Sequence, residues 1–168
     1  MANLEVDTRL AQQNDTEAFT RLYKTVYKDL YHVAFYSLRN NQHDASDVVS
    51  ETVIDAFASI KKLKNPQAFR SWIFKILSAK IKNKQKEYYR KQDEDFSYET
   101  SEDFAYTSFE LREVLQKLPD TDRLILSLSV LGGYTSEEIG QICDTPAGTI
   151  RSKLSRLKAL LRVQLQDN

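Results

Sequence analysis

The sequence predicts an all-α protein made of two small helical domains, with a flexible acidic linker between them and a helix-turn-helix in the C-terminal domain. Three features lead to this fold class. Apolar residues recur at spacings of three and four over most of the chain, which is the period of a helix. Residues 92–107 lose that period, and residues 135–162 have the pattern of a short helix, a tight turn and a basic helix. We therefore divide the chain into residues 1–91, 92–107 and 108–168.

Composition excludes several classes of protein. The 168 residues suffice for one domain or two small ones, and 24 basic residues balance 24 acidic residues. No apolar stretch approaches the roughly 20 residues of a membrane span, and the polar start of the chain does not have the pattern of a signal peptide. Cys143 is the only cysteine, so an internal disulfide is excluded and a buried thiol is expected. These features favour a cytoplasmic protein.

Charge is distributed in blocks along the chain. Eleven basic residues and one acidic residue fall between positions 61 and 91, whereas eight acidic residues and one basic residue fall between positions 93 and 113. Blocks of opposite sign indicate that the chain contacts several different surfaces. Tyr88 and Tyr89 lie within the basic block, and aromatic rings among cations suit a nucleic acid because bases stack and phosphates pair with the cations. A solvated basic helix end is the alternative.

Three helices are predicted in the first domain, after a lead-in at residues 1–13. Asp15 is expected to cap a helix that runs to about Leu38, and Asp44 is expected to cap the second. Asn65 and Pro66 supply an N-cap and a first-turn proline for the third. Their apolar faces can close a small bundle. The expected inward residues include Phe19, Leu22, Val26, Leu30, Val48, Val49, Val53, Phe57, Phe69, Trp72, Ile73 and Leu77.

The second domain is predicted to hold two helices before the helix-turn-helix. Pro119 ends the first of them, and the next begins at Asp120 or Thr121. Thr135 and Glu138 then make a capping box for a short helix. The basic helix that follows the turn is expected to have Thr145 as its N-cap and Pro146 at its first position, and Gly140 within the short helix costs about 1 kcal/mol relative to alanine.

The last helix combines an apolar stripe with a basic face. Ile150, Leu154, Leu157 and Leu161 recur at spacings of four, three and four, and residues 147–162 contain five basic residues and no acidic residue. Arg and Lys can pair with guanine edges, Ser can reach bases or phosphates, and a helix N-terminus favours phosphate. Together with the preceding turn, this pattern indicates a helix that enters the major groove. Taken alone, it also fits an amphipathic helix with a solvated face.

Several segments of the chain together resemble a known family. They are Asp15-Thr-Glu-Ala-Phe-Thr-Arg-Leu-Tyr23, Asp44-Ala-Ser-Asp-Val-Val-Ser-Glu-Thr52, Phe69-Arg-Ser-Trp-Ile-Phe-Lys-Ile76, Leu118-Pro119 to Arg123, Glu138-Ile-Gly-Gln-Ile142 and Gly148-Thr-Ile-Arg-Ser-Lys-Leu154. In this order they resemble bacterial RNA polymerase sigma factors of the extracytoplasmic-function class, which keeps only the second and fourth sigma domains. The resemblance covers nearly the whole chain and implies a transcription initiation factor that recognises minus-ten and minus-thirty-five elements.

The resemblance implies roles for three sets of residues. One set docks on the clamp helices of the polymerase's largest subunit, and its members are Asp44, Asp47, Ser50 and Glu51. A second set melts the minus-ten element and captures its non-template strand, and its members are Lys62, Lys64, Arg70, Lys75 and Lys80. A third set reads the minus-thirty-five element as duplex, and its members are Thr149, Arg151, Ser152, Lys153, Ser155 and Arg156. We call residues 61–65 the capture loop.

The resemblance also implies partners. They are the polymerase core, through the clamp helices and the flap of the second-largest subunit, promoter DNA, and a cognate anti-sigma factor, which the family often has. Direct membrane insertion is not expected, although an anti-sigma factor can hold the chain at the membrane. The linker is implied to thread the polymerase interior, where its carboxylates can mimic a phosphate chain, and a solvated spacer is the alternative. Many family members have Asn where this chain has Ala79, so the minus-ten base preference does not transfer.

Two other functions fit parts of the sequence. A stand-alone helix-turn-helix DNA-binding regulator accounts for residues 108–162 but gives no role to the segments at 44–52 and 69–76. A helical adaptor that does not bind DNA is the second. An enzyme is not expected, nor a cofactor or metal, because His32 and His43 are isolated and no phosphate loop, metal-ligand spacing or catalytic triad accompanies them.

Overall fold

The computed structural model describes residues 3–90 and 109–166, which are helical throughout most of their length. Their α-helices are α1 (Leu4–Gln12), α2 (Thr16–Ser37), α3 (Gln42–Ser59), α4 (Phe69–Arg90), α5 (Phe109–Lys117), α6 (Asp120–Val130), α7 (Ser136–Cys143) and α8 (Ala147–Gln166). No strand occurs in these two ranges, which confirms the all-α fold class. None of the helices they contain is long and apolar enough to cross a membrane. The predicted linker at 92–107 lies outside the described residues.

The first unit, residues 3–90, contains one helix that the sequence analysis did not predict. Asn3 caps α1 by accepting a hydrogen bond from the backbone N–H of Val6, and α1 packs along α2 with Ala11 buried. Residues 1–13 were expected to be only a short lead-in to the first helix, and they contain a helix of their own instead. Asp15 caps α2 as predicted, since its carboxylate accepts from the N–H of Ala18 at 3.0 Å.

The starts of α3 and α4 show where local sequence signals were ambiguous. Asn41, and not Asp44, caps α3, because the Asn41 side chain accepts from the N–H of Asp44 at 3.0 Å. Asn65 caps a single 3₁₀ turn at Pro66–Ala68, which leads directly into α4. Phe57 was expected to be buried, but it is half-exposed and makes a T-shaped contact with Phe19, with the ring centroids 5.1 Å apart.

The second unit, residues 109–166, contains the predicted helix-turn-helix. Thr135 and Glu138 form the capping box of α7, and α8, which we call the reading helix, follows after the turn. Ile150, Leu154 and Leu157 of the predicted stripe are buried. The predicted N-cap is wrong, because the reading helix begins at Ala147 and the Thr145 hydroxyl donates to the carbonyl of Cys143 instead.

The structure explains why position 140 of α7 is a glycine. A Cβ atom at this position would lie 2.6 Å from the backbone carbonyl oxygen of Thr145, well inside van der Waals contact. The absence of a side chain allows the turn before the reading helix to lie directly on α7. The same turn is closed by the N–H of Thr145, which donates to the Gly140 carbonyl at 2.9 Å.

The two units pack against each other through α2, α4, α6 and α7. Gln85 of α4 is 5% exposed, and its side-chain amide donates to the carbonyls of Ser37 in the first unit and Asp120 in the second, at 3.1 and 3.3 Å. Lys82 donates to the carbonyl of Cys143 at 3.1 Å. Polar side chains of α4 therefore bridge the units, a docking that no pattern in the sequence indicated.

Candidate polymerase and promoter surfaces

The outer face of α3 presents three of the four residues predicted to contact the polymerase. Asp47, Ser50 and Glu51 are exposed. Ile54 and Phe57 lie on the same helix and are 67% and 49% exposed. Apolar side chains left in solvent beside carboxylates are typical of a surface that another protein covers. Ile54 was not among the predicted contact residues, although its position outside the buried stripe of α3 indicated that it would be exposed.

Asp44, the fourth residue of that set, is held inside the first unit. Its carboxylate accepts a short hydrogen bond from the Tyr88 hydroxyl and lies 3.7 Å from the Lys84 ammonium. Burial and the Asp44 hydrogen bond both raise the pKa of Tyr88. The Tyr88 side chain is thus buried and hydrogen-bonded within the protein, so the prediction that it faces a nucleic acid is wrong. Tyr89, in contrast, is 55% exposed.

The capture loop and the start of α4 form an open basic surface. Lys62, Lys64 and Lys75 are exposed there. Lys64 and Lys75 also line a groove of about 400 Å³ between the first unit and α7, together with Leu63, Asn65, Ala68, Ser71, Trp72, Gln141 and Ile142. Trp72 was expected to be in the core; it packs on the core with part of its ring and contributes the rest to this groove.

Arg70, which the resemblance assigns to the minus-ten strand, bonds to the second unit in this arrangement. Its guanidinium donates to the Gly132 carbonyl at 2.9 Å and to the Asp29 carboxylate at 3.0 Å. It also lies 5.4 Å from the centroid of the Phe74 ring and 5.2 Å from that of Tyr134, which is within cation–π range. In the docked arrangement, Arg70 therefore contacts the second unit in place of the minus-ten strand predicted for it.

Lys80 also has a partner within the protein, although it has fewer contacts than Arg70. Its ammonium lies 2.6 Å from the Asp55 carboxylate of α3, and the hydrogen bond to that carboxylate raises the pKa of Lys80. The cations predicted for the minus-ten strand thus fall into two groups. Lys62, Lys64 and Lys75 point into solvent, whereas Arg70 and Lys80 have partners on the protein.

The reading helix presents its polar face to solvent. Thr149, Ser152, Ser155 and Arg156 are exposed.

Two basic side chains of the reading helix are oriented by acidic residues of the second unit. Arg151 pairs with Glu137 of α7 at 2.6 Å, and Lys153 pairs with Asp122 of α6 at 3.1 Å. Both pairs lie within the second unit, and the Arg151 pair is mostly exposed. The helix is thus packed on its own unit through buried Leu154, while Thr149, Ser152, Ser155 and Arg156 remain exposed.

The cysteine and the two histidines lie apart from the surfaces described above. Cys143 is buried, as predicted, and burial raises the pKa of its thiol. Across residues 3–90 and 109–166, no group of His, Cys, Asp and Glu side chains is arranged to hold a metal ion. His43 lies on the surface 3.4 Å from Asp47, and burial lowers the pKa of His32.

Comparison with known proteins assigns the two units. Residues 22–94 match the family model of sigma-70 region 2, and residues 108–161 match that of sigma-70 region 4. The RNA polymerase sigma factor SigV of Bacillus subtilis is 34% identical over 143 residues, covering 82% of this chain and 85% of SigV. The chain belongs to the RNA polymerase sigma factors. It is a transcription initiation factor that directs the polymerase to promoters.

Other relatives place this sigma factor in the extracytoplasmic-function class. The sigma factor SigW of Bacillus subtilis is 28% identical over 176 residues, covering 93% of each chain. The sigma factor EcfG of Rhodopseudomonas palustris is 31% identical over 136 residues, covering 77% of this chain and 75% of EcfG. Both relatives carry the class designation in their names, and the family resemblance drawn from the sequence is confirmed.

Solved structures share the fold. CnrH, in complex with the cytosolic domain of CnrY, has a TM-score of 0.73 with 18% identity and covers 98% of both chains. The sigma factor RpoE of Bartonella quintana, in complex with the anti-sigma factor NepR, has a TM-score of 0.73 with 22% identity, covering 88% of this chain and 96% of RpoE. The likeness extends over both helical units of the sigma factor.

Proposed function

We propose that the outer face of α3 holds this sigma factor on core polymerase while the two units act at different promoter elements. Asp47, Ser50 and Glu51 supply charged contacts to the clamp helices of the largest subunit, and Ile54 and Phe57 supply apolar ones. Apolar and charged groups together are what a specific protein interface needs. Asp44 supports this surface from inside, through its hydrogen bond with Tyr88.

The exposed cations of the first unit hold the non-template strand of the minus-ten element. Lys62 and Lys64 of the capture loop and Lys75 of α4 pair with its phosphates, and the exposed part of Trp72 offers a ring beside them. Arg70 and Lys80 join these contacts after they leave their protein partners.

The reading helix recognises the minus-thirty-five element as duplex. The observation that supports the proposal most strongly is that its apolar stripe is buried while Thr149, Ser152, Ser155 and Arg156 remain exposed on the opposite side. Arg151 and Lys153 complete that face. A helix in a major groove needs this division, because one side must pack on the protein while the other contacts base edges and phosphates.

The two units must separate to contact both elements at once. Centres some 25 base pairs apart are about 85 Å apart at about 3.4 Å per base pair. A compact body of 168 residues has a radius of gyration of only about 15 Å. The docked arrangement is therefore the form that precedes promoter recognition, and residues 92–107 supply the connection when the units move apart.

The remaining assignments follow from this role. The polymerase performs the chemistry, so the sigma factor itself is not an enzyme, and it acts in the cytoplasm. CnrH and the RpoE of Bartonella quintana are each described in a complex with a regulatory partner, an anti-sigma factor in the case of RpoE. We extend that kind of partner to this chain. The stand-alone regulator is the weaker alternative, because it leaves residues 22–94, which match region 2, without a function.

Reconstitution with bacterial core polymerase tests the proposal. The purified chain is expected to co-elute with core enzyme and to direct initiation from specific genomic fragments, whereas the chain alone shifts promoter DNA poorly. Glu51→Lys is expected to weaken core binding by more than about tenfold, because like charges across an interface cost several kcal/mol. Glu113→Lys, the same change at an exposed position of α5 in the second unit, is the control. Promoter binding by the chain alone, with core enzyme adding nothing, would support the regulator instead.

A further inference from the structure

The unpredicted helix α1 is tied to the capture loop by one side chain. The side-chain amide nitrogen of Gln12 donates to the carbonyl oxygen of Ile60 at 3.0 Å and to that of Leu63 at 2.8 Å. A carboxamide nitrogen carries two hydrogens, so both are used. The opposite orientation of the amide would bring its own oxygen against two carbonyl oxygens, which fixes the assignment of donor and acceptor.

The two carbonyls that Gln12 joins flank the exposed part of the loop. Lys61 and Lys62 lie between Ile60 and Leu63, and Lys64 follows directly. The Leu63 side chain is turned inward and is 8% exposed, while the three lysines are exposed. Holding the Ile60 and Leu63 carbonyls at a fixed separation therefore sets where the lysines emerge.

Few other bonds define the shape of this loop. The N–H of Leu63 donates to the Ile60 carbonyl at 3.1 Å, and the Asn65 side chain accepts from the N–H of Gln67 at 3.0 Å. Gln67 also donates to the Glu5 carboxylate on α1 at 3.2 Å, in an exposed position where such a bond adds little. Gln12 thus ties the backbone of the loop to α1 through partly buried hydrogen bonds, in addition to the packing of the Leu63 side chain.

We propose that Gln12 is a positioning residue for promoter melting, which fixes the backbone of the capture loop so that its lysines meet the displaced minus-ten strand. This inference depends on the proposed function of the loop. A single strand is flexible, so a preformed loop lowers the ordering cost of capturing it. A loop released from α1 still carries its charges, but it places them less accurately and discriminates less between strands.

Substitutions at position 12 test the inference in the full chain bound to core polymerase. Gln12→Met keeps the length of the side chain and removes both donors, and Gln12→Glu also places a carboxylate against two carbonyl oxygens. Gln13→Met and Gln13→Glu are matched controls, because Gln13 is the next residue and is exposed. The probe is a single-stranded oligonucleotide with the minus-ten sequence of a promoter that the wild-type holoenzyme melts, together with versions carrying one changed base.

Gln12→Met is expected to weaken binding of the matched oligonucleotide by about tenfold, because the released loop must then be ordered when the strand binds. It is also expected to reduce the preference over the changed-base versions. Affinity for core enzyme and for minus-thirty-five duplex stays at the wild-type value. A role in folding alone would lower the melting temperature and core affinity without changing base preference. That result, or Gln12 variants that match the Gln13 controls, would overturn the inference.

Lys64→Ala separates this inference from the proposed function on which it depends. If Lys64→Ala weakens capture of the strand and Gln12→Met does not, the loop binds DNA but Gln12 does not position it. If neither change has an effect, the assignment of the loop to the minus-ten strand fails as well. In both cases the inference about Gln12 is rejected.

Discussion

The reading helix and the capture surface, meaning the capture loop with the start of α4, are held in different ways. The reading helix is oriented by its own unit, through the Arg151–Glu137 and Lys153–Asp122 pairs. The capture surface is partly held by the other unit, because Arg70 donates to the Gly132 carbonyl. The paired cations of the reading helix have their partners in the same unit, whereas Arg70 of the capture surface is freed only when the units part.

The difference matches the nucleic acid that each surface is proposed to bind. Intact duplex has a regular shape, and a rigid helix can recognise it without rearrangement. A displaced single strand forms only after melting, so its binding surface can be withheld until that step. The contrast suggests that docking of the units limits strand capture in the free sigma factor and leaves duplex reading nearly unaffected.

The largest effect is expected at the reading helix. Arg151→Ala should cost about 1–3 kcal/mol of promoter affinity if Arg151 contacts a base, with relaxed preference at one position of the minus-thirty-five element. Binding of the holoenzyme to promoters with single changes in that element measures both effects. Arg162→Ala, nearer the end of the same helix, should retain the base preference. An Arg151→Ala footprint with unchanged affinity and preference would contradict the assignment.

Weakening the contact between the two units should change DNA binding by the capture surface and leave duplex binding by the reading helix unchanged. Gln85→Met leaves the buried carbonyls of Ser37 and Asp120 without the Gln85 donor, which costs about 1–3 kcal/mol of docking. The free chain should then bind minus-ten single strands more tightly, while binding of minus-thirty-five duplex is unchanged. Gln116→Met, at an exposed position of α5, is the control. Equal strand affinity in the two variants would show that docking does not restrict the capture surface.

The cations predicted for the minus-ten strand should contribute unequally to single-strand binding. Lys64 is exposed, whereas Lys80 is paired with Asp55. Lys64→Ala is therefore expected to reduce the salt dependence of single-strand binding by about 0.7 in the log–log slope, the value for one phosphate contact. Lys80→Ala should reduce it less, because the pair with Asp55 must break before Lys80 reaches DNA. A larger loss for Lys80→Ala would reverse this ranking.

The smallest effect concerns the support of the reading helix. Gly140→Ala places a Cβ 2.6 Å from the Thr145 carbonyl, so the clash should outweigh the gain in helix propensity and cost about 1 kcal/mol of stability. The control is Gly148→Ala, where the nearest atom is 4.0 Å away and a small stabilisation is expected. Denaturant unfolding of both variants gives the comparison. A Gly140→Ala variant as stable as Gly148→Ala would show that the turn at Thr145 can move to accommodate the Cβ atom at little cost in free energy.

Local signals predicted much of the fold. The capping box of Thr135 and Glu138 and the cap at Asp15 were correct, since each depends on residues three apart. The same signal was ambiguous at α3, where Asn41 and Asp44 are both good caps. Only the folded structure shows that the Asp44 carboxylate bonds to Tyr88, 44 positions away.

The surfaces were predictable in outline, but their contacts within the protein were not. Helical period identified the buried stripe of the reading helix, and the polar residues off that stripe are exposed. No periodicity could indicate that Arg70 reaches Gly132 or that Gln12 reaches Leu63, because these contacts join segments distant in sequence. α1 was not predicted, although Asn3 is a good N-cap and Leu4 and Ala11 lie two helical turns apart on one face.

The distance between the two units tests the central claim most directly. Fluorophores at Glu17→Cys in α2 and Gln116→Cys in α5 report that distance by energy transfer, since both positions are exposed and native Cys143 is buried. High transfer is predicted for the free sigma factor, and a large loss is predicted once it forms a promoter complex with core polymerase. Transfer that stays high in a complex that initiates transcription would contradict the separation of the units.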